Sequence, residues 1–329
     1  MTDTAPPAGI SLHNALDSGE ARTLAQDARE GLARPLKELP PKHLYDTRGA
    51  ALFEQICELP EYYPTRLERS ILERVAADVI AATAAGELVE LGSGSAAKTR
   101  LLLDAMAAAG TLRRFVAVDV TEQAVRDSAT ELIQEYPGLE VHGLIGDFER
   151  HLDYLPPARE PRLLAFLGGT IGNFPPAARL RFLTAVAELL RPADHLLLGT
   201  DLVKDRAVLE AAYDDSAGVT AEFNLNILHV LNRELGANFD PSAFTHVARF
   251  DEAQEWIEMR LRSSRAQDVE LAAIAMNVSF AEGEELRTEV SAKFTRERVQ
   301  AELEAAGLQL LDWHTDPSDW FALSLARRA

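Results

Sequence analysis

The sequence predicts an α/β fold in which a Rossmann-like parallel sheet is interrupted by an inserted second α+β domain. Three observations predict this fold. Between about residue 88 and residue 200, short apolar segments alternate with helical patterns, which is typical of βαβ units. The alternation stops after Asp201, and residues 202–294 indicate helices followed by antiparallel strands. From Thr295 onwards a helix and two more strands are predicted, and they would complete the first sheet.

The first part of the chain is predicted element by element. Residues 11–40 indicate a helical, charged lead-in, and the Ala-, Ile-, Leu- and Val-rich pattern from Leu67 to Ala85 predicts a longer helix. In the alternating part, the apolar segments predict strands near residues 88–91, 115–119, 139–145, 162–167 and 195–200. The segments between them predict helices near residues 99–109, 121–135 and 176–190.

The inserted block has a different pattern. Residues 205–236 predict helices that end at Gly236, since glycine favours the left-handed conformation after a helix. Residues 244–280 predict strands, with turns at Asp251-Glu252 and Gln267-Asp268. An apolar set alternates with a polar set there, as expected for a half-solvated antiparallel sheet: Ile257, Met259 and Leu261 against Trp256, Glu258, Arg260 and Arg262.

The end of the chain returns to the first pattern. Thr295 offers a hydroxyl cap for a helix that ends at Gly307, and residues 308–313 and 320–326 predict two strands. Two domains are therefore predicted, one formed by residues 66–201 and 295–329, the other by residues 11–65 and 202–294. The cleft between them would hold the active site, because ligands of open α/β sheets bind at the carboxyl ends of the strands.

Composition limits the classes of function. The 329 residues carry a net charge of −19, from 33 basic and 52 acidic residues, and no cluster of Lys and Arg suits a nucleic acid. The single cysteine, Cys57, excludes an internal disulfide and suits a reducing cytoplasm. No signal peptide is recognised, no apolar run approaches the ~20 residues of a membrane span, and the histidines are too scattered for a zinc site. We expect a cytoplasmic, monomeric protein that takes a small-molecule substrate and no metal.

The segment from Gly92 to Thr99 limits the function most, because it follows an apolar strand and leads directly into a helix. Such a turn brings backbone N–H groups close to a nucleotide-like ligand. A phosphate-binding P-loop would need a glycine in place of Ala97. The dinucleotide pattern G-x-G-x-x-A is satisfied by Gly92, Gly94 and Ala97, which would suit an NAD-dependent oxidoreductase. Asp119 would be its ribose-binding acid, although it stands late in the chain for that role.

A third interpretation is the S-adenosylmethionine (SAM) loop of a class I methyltransferase, which the segment resembles. Glu90 lies within the strand before the G-x-G turn, as in that family. Asp119 ends the next strand, where the family holds the ribose hydroxyls. Asp147 and Phe148 follow the third strand, where the family reaches the adenine. Alone, either aspartate would as readily be an ordinary loop residue, but together, after this loop, they favour SAM.

The fourth predicted strand leads into Asn173-Phe174-Pro175-Pro176. This order is a scrambled form of the Asn/Asp-Pro-Pro-aromatic box of nucleobase N-methyltransferases, and the acidic charge argues against such a substrate. Asn173 would either contact the methyl acceptor or cap the helix that Pro175 begins. The local pattern leaves both roles open.

Several further segments, many of them in the inserted block, form a more specific pattern. They are Pro60-Glu61-Tyr62-Tyr63-Pro64, Glu90-Leu91-Gly92-Ser93-Gly94, Gly169-Thr170-Ile171-Gly172-Asn173, Ala212-Tyr213-Asp214-Asp215, Asn232-Arg233-Glu234-Leu235 and Thr288-Glu289-Val290-Ser291. With them, the chain resembles the histidine-specific methyltransferase of ergothioneine biosynthesis over nearly its full length. Members of this family trimethylate the α-amino group of L-histidine to hercynine. The resemblance therefore implies SAM as cofactor, and L-histidine with its mono- and dimethyl forms as substrates.

The resemblance also implies a role for each site residue. Tyr45 would lie near the amine as the catalytic candidate. Residues that would bind the substrate are Tyr62, Gly168, Asn173, Tyr213, Met259, Glu289 and Ser291. Residues that would bind the cofactor are Gly92, Gly94, Lys98, Asp119, Asp147 and Phe148.

Within the substrate set, the resemblance implies a division of labour. Asn173 and Tyr213 would hold the carboxylate, whereas Glu289 and Ser291 would bind the imidazole. Tyr62 would also contact the imidazole region, and Met259 would line the side-chain pocket. From its acidic surroundings alone, Glu289 would be a solvated strand residue; the resemblance reverses that expectation. An NAD-dependent oxidoreductase and a methyltransferase of another amino acid are the alternatives to be tested.

Overall fold

Two large sheets organise the protein, which is described by a computed structural model for residues 9–16, 23–94 and 96–329. Part of the predicted lead-in, residues 17–22, and Ser95 of the glycine loop lie outside the described residues. The described strands form an eight-stranded sheet, a four-stranded sheet and a two-stranded hairpin. No helix in the described ranges is long and apolar enough to cross a membrane.

The bounds of the elements are as follows. The strands are β1 (Ile10–Asn14), β2 (Lys37–Glu38), β3 (Glu87–Leu91), β4 (Arg114–Asp119), β5 (Glu140–Ile145), β6 (Arg162–Phe166), β7 (His195–Asp201), β8 (Phe244–Asp251), β9 (Trp256–Ser263), β10 (Gln267–Leu271), β11 (Met276–Phe280), β12 (Glu285–Ala292), β13 (Leu308–Thr315) and β14 (Phe321–Arg328). The helices are α1 (Leu24–Gly31), α2 (Thr47–Glu58), α3 (Pro64–Thr83), α4 (Thr99–Ala108), α5 (Glu122–Glu135), α6 (Pro176–Leu189), α7 (Arg206–Ala211), α8 (Val219–Leu235) and α9 (Arg296–Ala305).

The eight-stranded sheet has the order β1-β5-β4-β3-β6-β7-β14-β13. Strands β3 to β7 are parallel, whereas β14 is antiparallel to both β7 and β13. The predicted Rossmann-like sheet, its interruption after β7 and its completion at the carboxyl terminus are confirmed. The chain runs outward in opposite directions from β3, so the carboxyl end of β3 is the switch point where ligands of such sheets bind.

The predicted helix ends are confirmed by their caps. The Thr295 hydroxyl accepts a hydrogen bond from the Arg298 backbone N–H at 3.2 Å and so begins α9. Gly236 ends α8 in the left-handed conformation, with φ of +58°. Local polar and glycine signals therefore located the end of α8, inside the inserted block, and the start of α9, which follows it.

The predicted helical lead-in over residues 11–40 is wrong in its first part. Residues 10–14 form β1, which pairs in parallel with β5 at the edge of the first sheet. Ile10 and Leu12 pack against the apolar cluster of that sheet. Because this pairing joins residues about 130 positions apart, the local pattern did not predict it. Residues 11–14 thus belong to the first sheet, whereas the sequence predicts them in the second domain.

The second sheet has the order β2-β12-β9-β8 and packs against helices α2 and α8. One apolar cluster contains Leu44 and Ile56 from the amino-terminal part and Ile227 and Leu261 from the inserted block. The inserted block therefore packs with the amino-terminal segment, as expected. The exact division into two domains stays a prediction.

Two details of the inserted block differ from prediction. The turn expected at Gln267-Asp268 is wrong, since Gln267 already begins β10. The polar face of β9 is solvated only toward its end: Arg262 is exposed, whereas Glu258 is 2 % exposed and forms ion pairs with Arg249, Arg260 and Arg287. The apolar and polar faces alternate as predicted, and charge pairs rather than water cover the middle of the polar face.

Candidate active site

A small cavity lies between the segment that follows β6 and the strands β9 and β12 of the second sheet. All of the predicted catalytic and substrate-binding residues line it: Tyr45, Tyr62, Gly168, Asn173, Tyr213, Met259, Glu289 and Ser291. The prediction did not include the aromatic residues Phe53 and Phe223, which line the same cavity. Residues from distant parts of the chain thus meet at one place.

The segment after β6 depends on glycine. Gly168 and Gly169 have φ of +78° and +68°, a left-handed conformation that disfavours other residues. They reverse the chain into a short 3₁₀ turn that packs against β12. At Gly172 a Cβ atom would lie 2.8 Å from the backbone oxygen of Ala292, so only glycine allows this close approach.

That turn excludes one of the two roles left open for Asn173, the helix cap. Its amide Nδ2 donates a hydrogen bond to the backbone oxygen of Val290 at 2.8 Å. Helix α6 begins after Pro175, and no side chain caps it. Asn173 therefore does not cap the helix, and its side chain lies against β12 at the cavity.

Strand β12 carries a β-bulge between Arg287 and Glu289. Before the bulge, Arg287 lies on the face that carries the ion pairs. After it, Glu289 pairs with Met259 of β9 and therefore shares its face, which lines the cavity. With regular alternation, Glu289 and Ser291 would lie on the face of Arg287. The bulge thus turns both side chains into the cavity.

Glu289 is a buried carboxyl with few polar neighbours. Burial raises its pKa to about 7, although the charge of Lys293 and a hydrogen bond from the Asn173 side chain oppose the shift. Its exposed fraction is 9 %. A ligand that donates an N–H to this carboxylate would relieve part of its desolvation.

The opposite wall of the cavity is aromatic. The Tyr45 ring lies edge-on to Phe53 and Phe223, with 5.3 Å between centroids in each case. The Tyr62 ring lies edge-on to Tyr213 at 6.2 Å. Burial raises the pKa of both Tyr45 and Tyr62 well above the usual value, with Glu289 contributing to Tyr45 and Tyr213 to Tyr62. These phenols therefore stay protonated at neutral pH.

The predicted cofactor residues meet at the carboxyl ends of β3 and β4. Gly92 and Gly94 have φ of +73° and +48°. One carboxylate oxygen of Asp119 accepts the Gly94 backbone N–H at 3.0 Å, and the other accepts the Thr121 N–H at 2.9 Å. A Cβ at Gly92 would lie 3.6 Å from the Phe148 ring, so this glycine keeps a narrow space open.

The third strand-end acid, Asp147, is buried but not unpaired. It forms an ion pair with Lys42 at 3.3 Å and accepts the Glu149 backbone N–H at 3.0 Å. Phe148 packs edge-on against Phe166 at 5.3 Å. A carboxylate and a ring therefore stand side by side next to the glycine loop, where an adenosine group would need them.

Glu90 lies beneath the glycine loop rather than in the cavity. It is 3 % exposed, and its carboxyl accepts a hydrogen bond from the Thr99 hydroxyl at the start of α4. Burial raises its pKa to about 8. Glu90 thus joins the strand before the loop to the helix after it.

Glu68 is a functional candidate that we did not predict. It is fully buried on α3, and its carboxylate accepts the Gly168 backbone N–H at 2.7 and 3.0 Å and forms an ion pair with Lys98. It therefore connects a predicted cofactor residue with a predicted substrate residue. The sequence held a signal, because Glu68 lies at helical spacing with the apolar positions Ile71 and Leu72.

No group of three His, Cys, Asp or Glu side chains within the described ranges could hold a metal ion. The site residues instead offer hydroxyls, amides, carboxylates and aromatic rings. This set suits a polar organic substrate beside a nucleoside-containing cofactor.

Comparison with known proteins gives a consistent picture. The sequence profile of a family described as "Histidine-specific methyltransferase, SAM-dependent" matches residues 24–328. A histidine N-alpha-methyltransferase of Mycolicibacterium smegmatis is 53 % identical over 320 residues, covering 97 % of this chain and 99 % of the relative. One of Mycobacterium tuberculosis is 51 % identical over 319 residues, with the same coverage. The ergothioneine biosynthesis protein 1 of Neurospora crassa is 34 % identical over 204 residues, 61 % of this chain and 23 % of that protein.

Proposed function

The chain belongs to the histidine-specific, SAM-dependent methyltransferases, and we infer from this premise that it methylates the α-amino group of L-histidine. The observation that carries this proposal is the single cavity lined by Tyr62, Asn173, Tyr213, Glu289 and Ser291 next to the segment that follows β6. Three successive transfers would give hercynine, the trimethylated product, which serves ergothioneine biosynthesis. The class I fold and its glycine loop support SAM as the methyl donor.

The residues at the glycine loop fit the cofactor. Asp119 offers a carboxylate whose oxygens already accept backbone N–H groups and retain lone pairs for ribose hydroxyls. Gly92 leaves room beside Phe148 that any side chain would fill. Asp147 follows the next strand, β5, and would contact the adenine. Bound there, SAM supplies an electrophilic methyl group on its sulfonium.

The cavity residues would orient the acceptor. Methyl transfer needs the lone pair of a neutral amine aimed at the methyl carbon, so positioning supplies most of the catalysis. The product carries a quaternary ammonium, and the faces of Tyr45 or Tyr62 would stabilise that charge by ~1–2 kcal/mol in a dry site. Two protons leave over the three rounds. We propose that Tyr45, which keeps its own proton at neutral pH, relays each of them: its hydroxyl proton passes to water as the proton of the amine takes its place.

Glu289 would select the side chain of the substrate. An imidazole N–H satisfies its buried carboxylate, whereas an amino acid without that N–H leaves the carboxylate unpaired. Met259 pairs with Glu289 across the two strands and would form the apolar part of this contact. Selection therefore follows from the cost of an unmet hydrogen bond rather than from shape alone.

Incubation with SAM and L-histidine tests the proposal. Mass spectrometry should show products heavier by one, two and three methyl groups. Absence of product, together with methylation of a different amino acid, would contradict histidine as the acceptor. Calorimetry with NADH in place of SAM should show no binding, and binding of NADH would favour the oxidoreductase. The monomeric, cytoplasmic state stays a prediction, and light scattering checks the first part.

The variant Glu289→Ala tests the assigned role of that carboxylate. Loss of one hydrogen bond to a charged group should raise the KM for histidine by about 10- to 100-fold, while the Kd for SAM stays within about twofold. Glu282→Ala, an exposed carboxylate in the same acidic stretch, is the matched control and should change neither value. Equal losses of histidine and SAM binding would remove Glu289 from substrate recognition.

A further inference from the structure

Lys293 is a fully buried lysine that stands directly behind the cavity wall. Its ammonium nitrogen donates hydrogen bonds to the Tyr213 hydroxyl at 3.0 Å and to the Ser291 hydroxyl at 2.9 Å. It also lies 2.8 Å from a carboxylate oxygen of Asp201 and 4.6 Å from the centre of the Tyr213 ring. Lys293 itself does not line the cavity, but two residues that do are held by it.

We propose that Lys293 is a positioning residue that keeps the Tyr213 and Ser291 hydroxyls as hydrogen-bond donors and directs its positive charge at the carboxylate of the amino-acid substrate. This inference rests on the proposed function. The resemblance already implies the substrate carboxylate at Tyr213; the inference adds Lys293, a residue that the sequence pattern did not indicate.

Hydrogen bonds link the hydroxyls of Tyr213 and Ser291 to each other and to Lys293. The Ser291 oxygen accepts from Lys293 and also from the Tyr213 hydroxyl at 2.8 Å, so both of its lone pairs are occupied. Its own hydrogen must therefore be donated elsewhere. The Tyr213 oxygen accepts from Lys293 and can redirect its hydrogen to a better acceptor. Because the ammonium group occupies a lone pair on each oxygen, each hydroxyl offers a ligand in the cavity its hydrogen rather than a lone pair.

The charged groups around Lys293 also favour an anionic ligand. Asp201 is shared by Lys293 and Lys204, and it also accepts a hydrogen bond from the Tyr63 hydroxyl at 2.9 Å. Two lysines contact this one carboxylate. Asp316 also acts on Lys204, and Glu289 acts on Lys293, but burial raises the Glu289 pKa to about 7, so its carboxyl balances the Lys293 charge only in part at neutral pH. A buried charge that is only partly matched is costly, and a bound carboxylate would offset that cost.

The charged residues of the cavity wall indicate where a carboxylate would bind. No Lys or Arg is among the described residues that line it, and its acidic residue is Glu289. An incoming carboxylate would be repelled at Glu289 and would meet hydroxyl donors at Tyr213 and Ser291. This proposal therefore gives the Ser291 hydroxyl to the carboxylate rather than to the imidazole, which is the role that the resemblance implies. Lys293 is the ammonium group in contact with those donors, so the wall in front of it is where the anion is favoured.

The test compares two ligands that differ by the carboxylate. Binding of L-histidine and of histamine is measured by calorimetry with S-adenosylhomocysteine present, in the wild type and in Lys293→Met. We expect the affinity for L-histidine to fall by about tenfold or more, and the affinity for histamine to change by less than about threefold. Equal losses for both ligands would reduce Lys293 to a structural role, and no loss for either would overturn the proposal.

Lys204→Met is the matched control. Lys204 is similarly buried and shares Asp201, but it contacts neither Tyr213 nor Ser291. Its removal should leave the preference for L-histidine over histamine within about threefold of the wild-type value. If Lys204→Met causes the same selective loss as Lys293→Met, the charge does not act through Lys293 and the proposal fails.

A measurement on the wild type covers the case in which Lys293→Met does not fold. L-histidine should bind about tenfold or more tightly than L-histidinamide, which keeps the imidazole and the amine but carries no negative charge. Equal binding of the two would overturn the proposal. Wild-type turnover of L-histidine, measured first, tests the proposed function by itself, so the two failures are distinguishable.

Discussion

The cofactor side and the substrate side of this site are built in different ways. On the cofactor side, each acid ends its own strand and is held by nearby backbone, as Asp119 is by Thr121 and Asp147 by Glu149. On the substrate side, the contacts join distant segments: Tyr213 bonds to Ser291, 78 residues away. The first side is encoded locally, and the second exists only once the two sheets have packed.

This difference indicates which side of the site determines specificity for the methyl acceptor. A strand, a glycine turn and a terminal acid form a unit that any sheet of this class can carry, so the cofactor side reveals the methyl donor and no more. The side chains that we propose to select the acceptor owe their relative positions to a bulge in β12 and a glycine turn after β6. Variants on the two sides should therefore change different quantities.

The largest effect is expected on the cofactor side. Asp119→Ala removes a carboxylate that would accept two ribose hydroxyls, each worth about 1.5–3 kcal/mol, so the Kd for SAM should rise roughly 10²- to 10⁴-fold. Histidine affinity, measured without cofactor, should stay within about threefold, because Asp119 does not line the cavity. Calorimetry gives both values.

Asp127→Ala provides the control for that variant. Asp127 is an exposed carboxylate on α5, the helix that follows Asp119. Its loss should leave SAM binding unchanged. If Asp119→Ala weakened histidine binding as strongly as SAM binding, the two sides would not be separable in the way their construction implies.

A second prediction concerns the substrate side and its buried charge. Burial raises the pKa of Glu289 from about 4.5 to about 7, so the folded state binds this proton more tightly than the unfolded state. Between these pH values the unfolded chain has released the proton while the native protein retains it, and stability falls as pH rises. Above pH 7 the loss is complete, at roughly 3 kcal/mol.

Glu289→Gln removes this titration. The free energy of unfolding is measured for both proteins by urea denaturation without ligand. The variant's value minus the wild-type value should increase by roughly 3 kcal/mol between pH 4.5 and pH 7 and should not increase further above pH 7. Taking the difference between the two proteins cancels other buried carboxyls such as Glu90. A difference that does not change with pH would mean that Glu289 is not desolvated in the free protein.

The same contrast explains how much the sequence could predict. The alternating strands and helices, the glycine turn and the strand-end acids depend on neighbours within a few residues, and the structure has them where predicted. The resemblance located the cavity residues, which local patterns could not: Glu289 looks like a solvated residue until the bulge after Arg287 turns it inward. A bulge depends on pairing with the partner strand, so the alternation of apolar and polar residues along β12 alone does not predict it.

Other misses have the same physical origin. Strand β1 is five residues long and is specified by its pairing with β5 across the sheet edge. Lys293 follows β12 in an ordinary sequence context, and only the approach of Tyr213 and Asp201 makes it a buried charge. Features set by long-range packing are beyond local reasoning, whether they belong to the fold or to the site.

The smallest effect sharpens the comparison most, because Glu68 touches both sides and lines neither. Its carboxylate holds the Gly168 backbone N–H and pairs with Lys98, so it fixes the distance between the acceptor segment and the cofactor loop. Glu68→Gln keeps the size and one acceptor but loses the charge. We expect kcat to fall about tenfold, equivalent to about 1.4 kcal/mol, while the Kd for SAM and for histidine each change by less than about threefold.

Glu73→Gln is the control for Glu68→Gln. Glu73 is an exposed carboxylate on the same helix, and its replacement should have no effect on kcat or on either Kd. Loss of affinity for one ligand with kcat unchanged would instead assign Glu68 to that ligand's side, and the two sides would then be coupled through some other residue.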